Sequence, residues 1–138
     1  MKEYFAWCCE YNSSSGEGLL AKQFLDKYFK TKKVKILLPK KDFFLKKYIY
    51  PYIGILILWF YYLKGKKIFY INYLPLWNFP IFILCPPKTV FGPITGSIQI
   101  NKITGFKSII RYFLFPLFYK LSLFFINKRS NQIIFATN

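Results

Sequence analysis

Short apolar runs alternate along the chain with longer stretches in which apolar residues recur at helical spacing. The short runs are rich in Val, Ile, Phe and Tyr, which is typical of strands buried on both faces of a sheet. Pro39 and Pro75 follow two of these runs and end them. We predict strands at residues 5–11, 34–38, 67–74, 89–91 and 132–137.

The stretches between these runs place apolar residues every three or four positions, as on one face of a helix. In the last stretch, Pro116 predicts a bend because a proline inside a helix removes a backbone hydrogen bond. We predict helices at residues 19–30, 48–63, 76–85 and 106–127, and a Gly/Pro loop at residues 92–97.

Regular alternation of strands and helices predicts the fold class. A strand that is followed by a helix before the next strand forms a parallel sheet with helices on both faces. We therefore predict an α/β fold with about five parallel strands. A length of 138 residues suits one domain, which we assign to residues 1–138.

The second predicted helix contains an uncharged core of 16 residues, 48–63, with Lys46 and Lys47 before it and Lys64 after it. A helix needs about 20 apolar residues to cross a bilayer, so this core is short for a span. Pro51 and Gly54 also interrupt its first half. Three interpretations stay open: a helix buried against the sheet, a helix at a membrane surface, and a true span.

The charge distribution is strongly asymmetric. The net charge is +16, all five acids lie in the first 42 residues, and the rest of the chain has twelve Lys and Arg residues. Such a field favours anionic partners such as phosphates, nucleic acids or lipid headgroups. A solvated surface shaped by biased codon use is the alternative explanation.

A Gly/Ser loop precedes the first predicted helix. Its residues Ser15, Gly16, Glu17 and Gly18 lie where backbone N–H groups and the positive end of a helix dipole would favour a phosphate. No third glycine completes a dinucleotide-binding pattern. Ser14 and Glu17 have the spacing of a capping box, so a plain strand-to-helix turn is an equal alternative.

The sequence offers few groups for metal or redox chemistry. It has no histidine and three cysteines, Cys8, Cys9 and Cys85, which do not make a familiar zinc site. We predict no metal site, and free thiols in a reducing compartment. The N-terminus has acids and no long apolar segment, so we do not expect it to be a signal peptide.

Three segments together resemble a known family. The segments SSGEGLLAKQFL (14–25), INYLPLWN (71–78) and FGPITGS (91–97) resemble the N-terminal half of bacterial GT-B glycosyltransferases that build cell-surface polysaccharides. The resemblance extends over essentially the whole chain. It implies a Rossmann-like domain that holds the acceptor and faces a donor-binding domain across a cleft.

The resemblance also implies where ligands bind. It places Ser15, Gly16 and Gly18 at the cleft, near the donor diphosphate or the acceptor. It places a second group there, on the loop after the fourth strand: Pro93, Ile94, Thr95, Gly96 and Ser97. Glu10 and Glu17 are the candidate catalytic bases, because no histidine exists and they are the acids near a strand end. Glu17 alternatively only caps its helix.

The chain ends just after its fifth predicted strand, so we expect the donor-binding half to be absent. The chain alone would then bind no cofactor and would not be active, whereas a complete hexosyltransferase would use a nucleotide-sugar donor. We expect a separate donor-binding domain or subunit as partner. We also expect a cytoplasmic, peripheral location on the inner face of the cell membrane, with the segment 48–63 against anionic lipid.

Two other classes of function compete with sugar transfer. The first is a small basic integral membrane protein with spans at residues 48–63, 68–85 and 109–126, against which the prolines and the charged Arg111 and Lys120 argue. Positive charge on every loop would leave its orientation undefined. The second is a nucleic-acid-binding module, but no recognition motif is present and we expect no specific nucleic acid.

Overall fold

Five parallel strands form one sheet in the order β2-β1-β3-β4-β5. The computed structural model describes residues 3–11, 15–28, 34–39, 46–95, 106–130 and 133–135. Strands β1 to β4 form the body of the sheet, and the three-residue β5 lies along the outer edge of β4. The strands are β1 (Tyr4–Trp7), β2 (Val34–Leu37), β3 (Lys67–Pro75), β4 (Val90–Thr95) and β5 (Ile133–Phe135).

Four helices connect these strands and cover both faces of the sheet. Helix α1 packs on one face, and α2, α3 and α4 contribute to the core on the other. The helices are α1 (Gly16–Tyr28), α2 (Lys46–Leu63), α3 (Phe79–Leu84) and α4 (Phe106–Arg129). The predicted α/β class, with a parallel sheet between helices, is confirmed.

The strand order explains why one helix packs on one face of the sheet and three helices pack on the other. The chain moves from β1 to β2 in one direction along the sheet, and from β2 past β1 to β3 and onward in the other. Parallel crossovers keep one hand, so a reversal of direction requires the connecting helix to change face. This order is one of the two common doubly wound orders, and it has a single strand, β2, on the short side of β1.

The larger core lies between the sheet and helices α2, α3 and α4. Trp7, Tyr70 and Phe91 extend into it from three neighbouring strands, and Leu58 and Phe82 meet them from α2 and α3. The smaller core lies under α1, where Ala21 and Leu25 of the helix pack on alternate residues of the strands. Residues alternate between the two faces along each strand, so continuous apolar strands supply both cores.

Strand β4 corrects one prediction made from the sequence. We predicted a strand at residues 89–91 followed by a loop at 92–97, but β4 continues to Thr95. Pro93 has no N–H to donate, and pairing on both sides of β4 is irregular around it, between Phe91 and Ile94. The proline therefore lies at an irregularity of the ladder, where a strand tolerates it.

Helix α4 is held to the rest of the domain at its C-terminal half. Ile126 is buried in the larger core, and the Ser122 hydroxyl donates to the carbonyl of Leu76. The Arg129 guanidinium donates to the carbonyl of Ile83 at the end of α3. The segment Ser108–Arg129 is long and apolar enough to cross a membrane, with a mean hydropathy of 1.6, and is mostly exposed. One such helix is weak evidence for a span.

Candidate ligand crevice

The strand order creates a crevice at the carboxyl ends of β1 and β3. The chain leaves β1 toward β2 on one side and leaves β3 toward β4 on the other, so the two connections diverge. Open α/β sheets bind ligands at this kind of divergence, outside the carboxyl ends of the strands. The crevice is defined here by Cys9, Glu10 and Ser15, which follow β1, and by Asn72, which lies inside β3 next to the end of β1.

Asn72, inside β3, ties that strand to the segment just after β1. Its side-chain oxygen Oδ1 accepts a hydrogen bond of 2.6 Å from the backbone N–H of Cys9. Its other group, Nδ2, is shielded from solvent and has no hydrogen-bond partner within the described parts of the chain. The same side chain lies close to the Tyr70 hydroxyl and favours its ionised form, which opposes the rise in the pKa of Tyr70 that burial causes.

Ser15 caps the N-terminus of α1 and is hydrogen-bonded to Glu10. The Ser15 hydroxyl oxygen accepts a bond of 3.0 Å from the backbone N–H of Gly18, and the hydroxyl donates to the Glu10 carboxylate. This geometry makes Ser15 the N-cap, one residue later than the Ser14 of the predicted capping box. The correction follows from where the helix begins, at Gly16; Ser14 itself lies outside the described residues.

The structure therefore brings together one of the two predicted groups of site residues. Ser15, Gly16, Gly18 and Glu10 lie at the start of α1, beside the crevice. The Glu17 backbone belongs to the first turn of α1, and its side chain lies outside the described part of the structure. An extra Cβ at Gly16 would meet no atom within 4 Å, so the approach to this helix end is open.

The second predicted group is placed differently. Pro93 and Ile94 are not loop residues but belong to β4, and Ile94 is 0 % exposed in the larger core. Thr95 is the last residue of β4. Gly96 and Ser97 lie outside the described residues, so their prediction as ligand-binding residues stays a prediction.

Sequence reasoning missed Asn72 and Tyr70 as members of the site. The Tyr70 hydroxyl donates to the carbonyl of Pro51, and this hydrogen bond joins β3 to α2. Burial raises the pKa of Tyr70 well above its usual value, with a further contribution from the nearby Cys9. One signal was available: Asn72 is the polar residue inside the apolar run KIFYINYL.

The buried thiols are protonated at neutral pH. Burial, together with a smaller effect of the neighbouring Cys9, raises the pKa of the Cys8 thiol to about 12. Burial also raises the pKa of Cys85, against an opposing effect of Arg129. Because thiolate is the reactive form, neither thiol is suited to nucleophilic chemistry at neutral pH.

We expect the stability to fall as the pH rises from 9 towards 12. The unfolded Cys8 thiol ionises near pH 9, whereas the folded one resists ionisation up to about 12, so base favours the unfolded chain. The loss is about 1.4 kcal/mol per pH unit for each such thiol. Urea unfolding at several pH values measures it. Cys8→Ala should have the shallower slope, and equal slopes for the two proteins would contradict the assignment.

The crevice offers hydrogen-bonding groups rather than a metal site. No group of three or more metal-ligating side chains occurs within the described residues. The hydroxyl of Ser15 and the carboxylate of Glu10 are hydrogen-bonded to each other, and Glu10 follows Cys9, whose N–H donates to Asn72. No protein-family model, no curated protein and no solved structure matches the chain.

Proposed function

We propose that the chain is the acceptor-binding domain of a GT-B-type glycosyltransferase. Its acceptor would be a sugar linked through diphosphate to a lipid, or a growing cell-surface polysaccharide. The observation that carries the proposal is the crevice at the divergence of β1 and β3, where the Asn72 side chain joins β3 to the segment just after β1. A fold of this kind hosts many functions. Sugar transfer rests on the resemblance of residues 14–25, 71–78 and 91–97 to that family.

The electrostatics of this edge support an anionic acceptor. Helices α1, α2 and α4 follow parallel strands, so their N-termini lie at the same edge of the sheet as the crevice. The positive ends of the helix dipoles and the net charge of +16 both favour a diphosphate there.

The two acidic candidates have different roles in this proposal. The Glu10 carboxylate, held by the Ser15 hydroxyl, lies at the crevice and is the candidate base for an acceptor hydroxyl. Glu17 contributes negative charge to the first turn of α1, where it stabilises the helix. A nucleotide-sugar donor would bind to a second domain or subunit.

A second candidate function is a small integral membrane protein anchored by α4. The observation that favours it is the length, hydropathy and exposure of Ser108–Arg129. Ser122 and Arg129 donate hydrogen bonds to the backbone carbonyls of Leu76 and Ile83, and these contacts favour instead an α4 that belongs to the α/β domain. Extraction of membranes with alkaline carbonate separates the two, because a spanning protein stays in the membrane pellet.

Binding of a synthetic acceptor to the full chain tests the proposal. The probe is glucose linked through diphosphate to a farnesyl chain, and isothermal titration calorimetry measures its binding. Asn72→Asp preserves an oxygen for the Cys9 N–H but replaces the amide NH2 group with a negatively charged oxygen, so binding of an anionic acceptor should weaken at least about tenfold. Asn127→Asp makes the same change in an exposed residue near the far end of α4 and should bind normally.

Two results would contradict the proposed function. One is the absence of binding by the parent chain to any diphosphate-linked sugar. The other is equal binding by the parent and Asn72→Asp. Transfer of a radiolabelled sugar from a nucleotide donor, after co-expression with a donor-binding domain encoded beside this chain, would demonstrate the complete activity.

A further inference from the structure

In the helical layer formed by α2, α3 and α4, the two outer helices α2 and α4 expose apolar side chains. On α2, the exposed residues Tyr52, Leu56 and Phe60 lie opposite the residues that pack on the sheet; Leu56 is 70 % exposed. On α4, Phe113, Leu117 and Phe124 are likewise exposed. We call these six side chains the apolar face. Exposed apolar surface concentrated in this way marks an interaction site rather than ordinary surface.

The helices that carry the apolar face are joined side by side. The indole N–H of Trp59 in α2 donates to the carbonyl of Leu84 in α3, at 2.7 Å. Between α3 and α4, the rings of Phe79 and Phe118 lie 4.9 Å apart. Both outer helices are therefore fixed to α3, and the apolar face belongs to one layer of the domain.

Cations lie directly beside the apolar side chains. The Lys64 ammonium lies 4.0 Å from the ring centroid of Phe60, and the Lys128 ammonium lies 5.7 Å from that of Phe124. Lys120, also exposed, follows Leu117 on α4. Helices α2, α3 and α4 contain no acid. A long basic side chain can lie along apolar surface and keep its charge in a polar layer.

We propose that the apolar face docks on the surface of an anionic lipid bilayer, with α2 and α4 lying along the membrane plane. An apolar stripe edged by lysines suits the boundary between headgroups and acyl chains. A second copy of this chain would bring two strongly basic surfaces together, which their like charge opposes. Lys120 lies in the middle of Ser108–Arg129, where a helix crossing the bilayer would hold it in hydrocarbon. The inference does not depend on the crevice or on its ligand.

Sedimentation of the full chain with lipid vesicles tests the docking. The parent should bind vesicles that contain phosphatidylglycerol and bind pure phosphatidylcholine vesicles much more weakly. Leu56→Ser combined with Leu63→Ser should weaken binding at least tenfold, because Leu63, the last residue of α2, is also exposed and lies next to Lys64. The matched control, Leu19→Ser with Leu20→Ser, changes two exposed leucines of α1 on the opposite face of the sheet, and it should bind as the parent does.

A second pair of variants tests whether the lysines beside the apolar face contribute to binding of anionic vesicles. Lys64→Gln with Lys128→Gln should weaken binding to anionic vesicles by about fivefold per lysine, whereas Lys22→Gln with Lys27→Gln on α1 should have little effect. Equal binding by the Leu56/Leu63 variant and its α1 control would overturn the proposal. So would resistance of the bound chain to carbonate, or a lipid-independent dimer that the Leu56/Leu63 variant abolishes. Asn72→Asp should leave vesicle binding unchanged, which separates this surface from the proposed acceptor site.

Discussion

Replacing Gly54 with alanine is expected to destabilise the fold by about 2 kcal/mol or more. Gly54 lies in α2 against the indole of Trp7, and a Cβ added there would overlap Nε1, Cδ1 and Cε2 of that ring. Trp7 is 1 % exposed, so the indole has no free space into which it could move. The clash exceeds the gain of about 1 kcal/mol that alanine normally brings to a helix interior.

Urea unfolding of the parent and Gly54→Ala measures this effect as a lower midpoint at an unchanged slope. Gly16→Ala is the matched control, since its new Cβ meets no atom within 4 Å, and it should not destabilise. Trp7→Phe should partly relieve the cost of Gly54→Ala when the two are combined. A Gly54→Ala protein as stable as the parent would show that α2 does not press on Trp7.

Phe91→Ala should cost about 3–5 kcal/mol of unfolding free energy. Phe91 is 2 % exposed and is the second residue of β4, where its ring contacts side chains of β3 and α3. Its ring centroid lies 5.2 Å from that of Phe82 in α3 and 6.5 Å from that of Tyr70 in β3. Removing it leaves a cavity that neighbouring strands cannot fill, in a domain whose total stability is about 5–15 kcal/mol.

The same substitution in α4 provides the control. Phe113 is 69 % exposed, so Phe113→Ala measured without lipid should change stability by no more than about 0.5 kcal/mol. Phe91→Ala and Phe113→Ala remove the same side-chain atoms. The difference between their free energies of unfolding therefore measures the contribution of burial. Similar costs for both would mean that Phe91 does not lie in the core.

The alternation of strands and helices could be predicted from the sequence because it depends on local periodicity. Continuous apolar runs such as KIFYINYL are buried on both faces wherever the sheet places them, so the parallel α/β class follows from them. The presence of α1 was predictable in the same way, but its start was not: the apolar spacing placed the helix from residue 19, whereas α1 begins at Gly16. The exact cap, Ser15 rather than Ser14, depended on the position of the first turn.

Contacts distant in sequence could not be predicted in this way. The bond from Cys9 to Asn72 joins residues 63 positions apart, and only the order β2-β1-β3 brings them together. The extent of β4 was mistaken because Gly92 and Pro93 signal a turn locally, whereas pairing with β3 on one side and β5 on the other keeps them in the sheet.

The sequence by itself therefore determined the class of fold, the basic charge and the apolar character of α2 and α4, since each is a property of composition and spacing. The tertiary structure decided which apolar side chains are covered. Leu58 of α2 is buried against the sheet, whereas Leu56, two residues earlier, is exposed with Phe113 and Phe124 of α4. Periodicity shows that a helix has an apolar side, but only packing shows how much of that side remains for another partner.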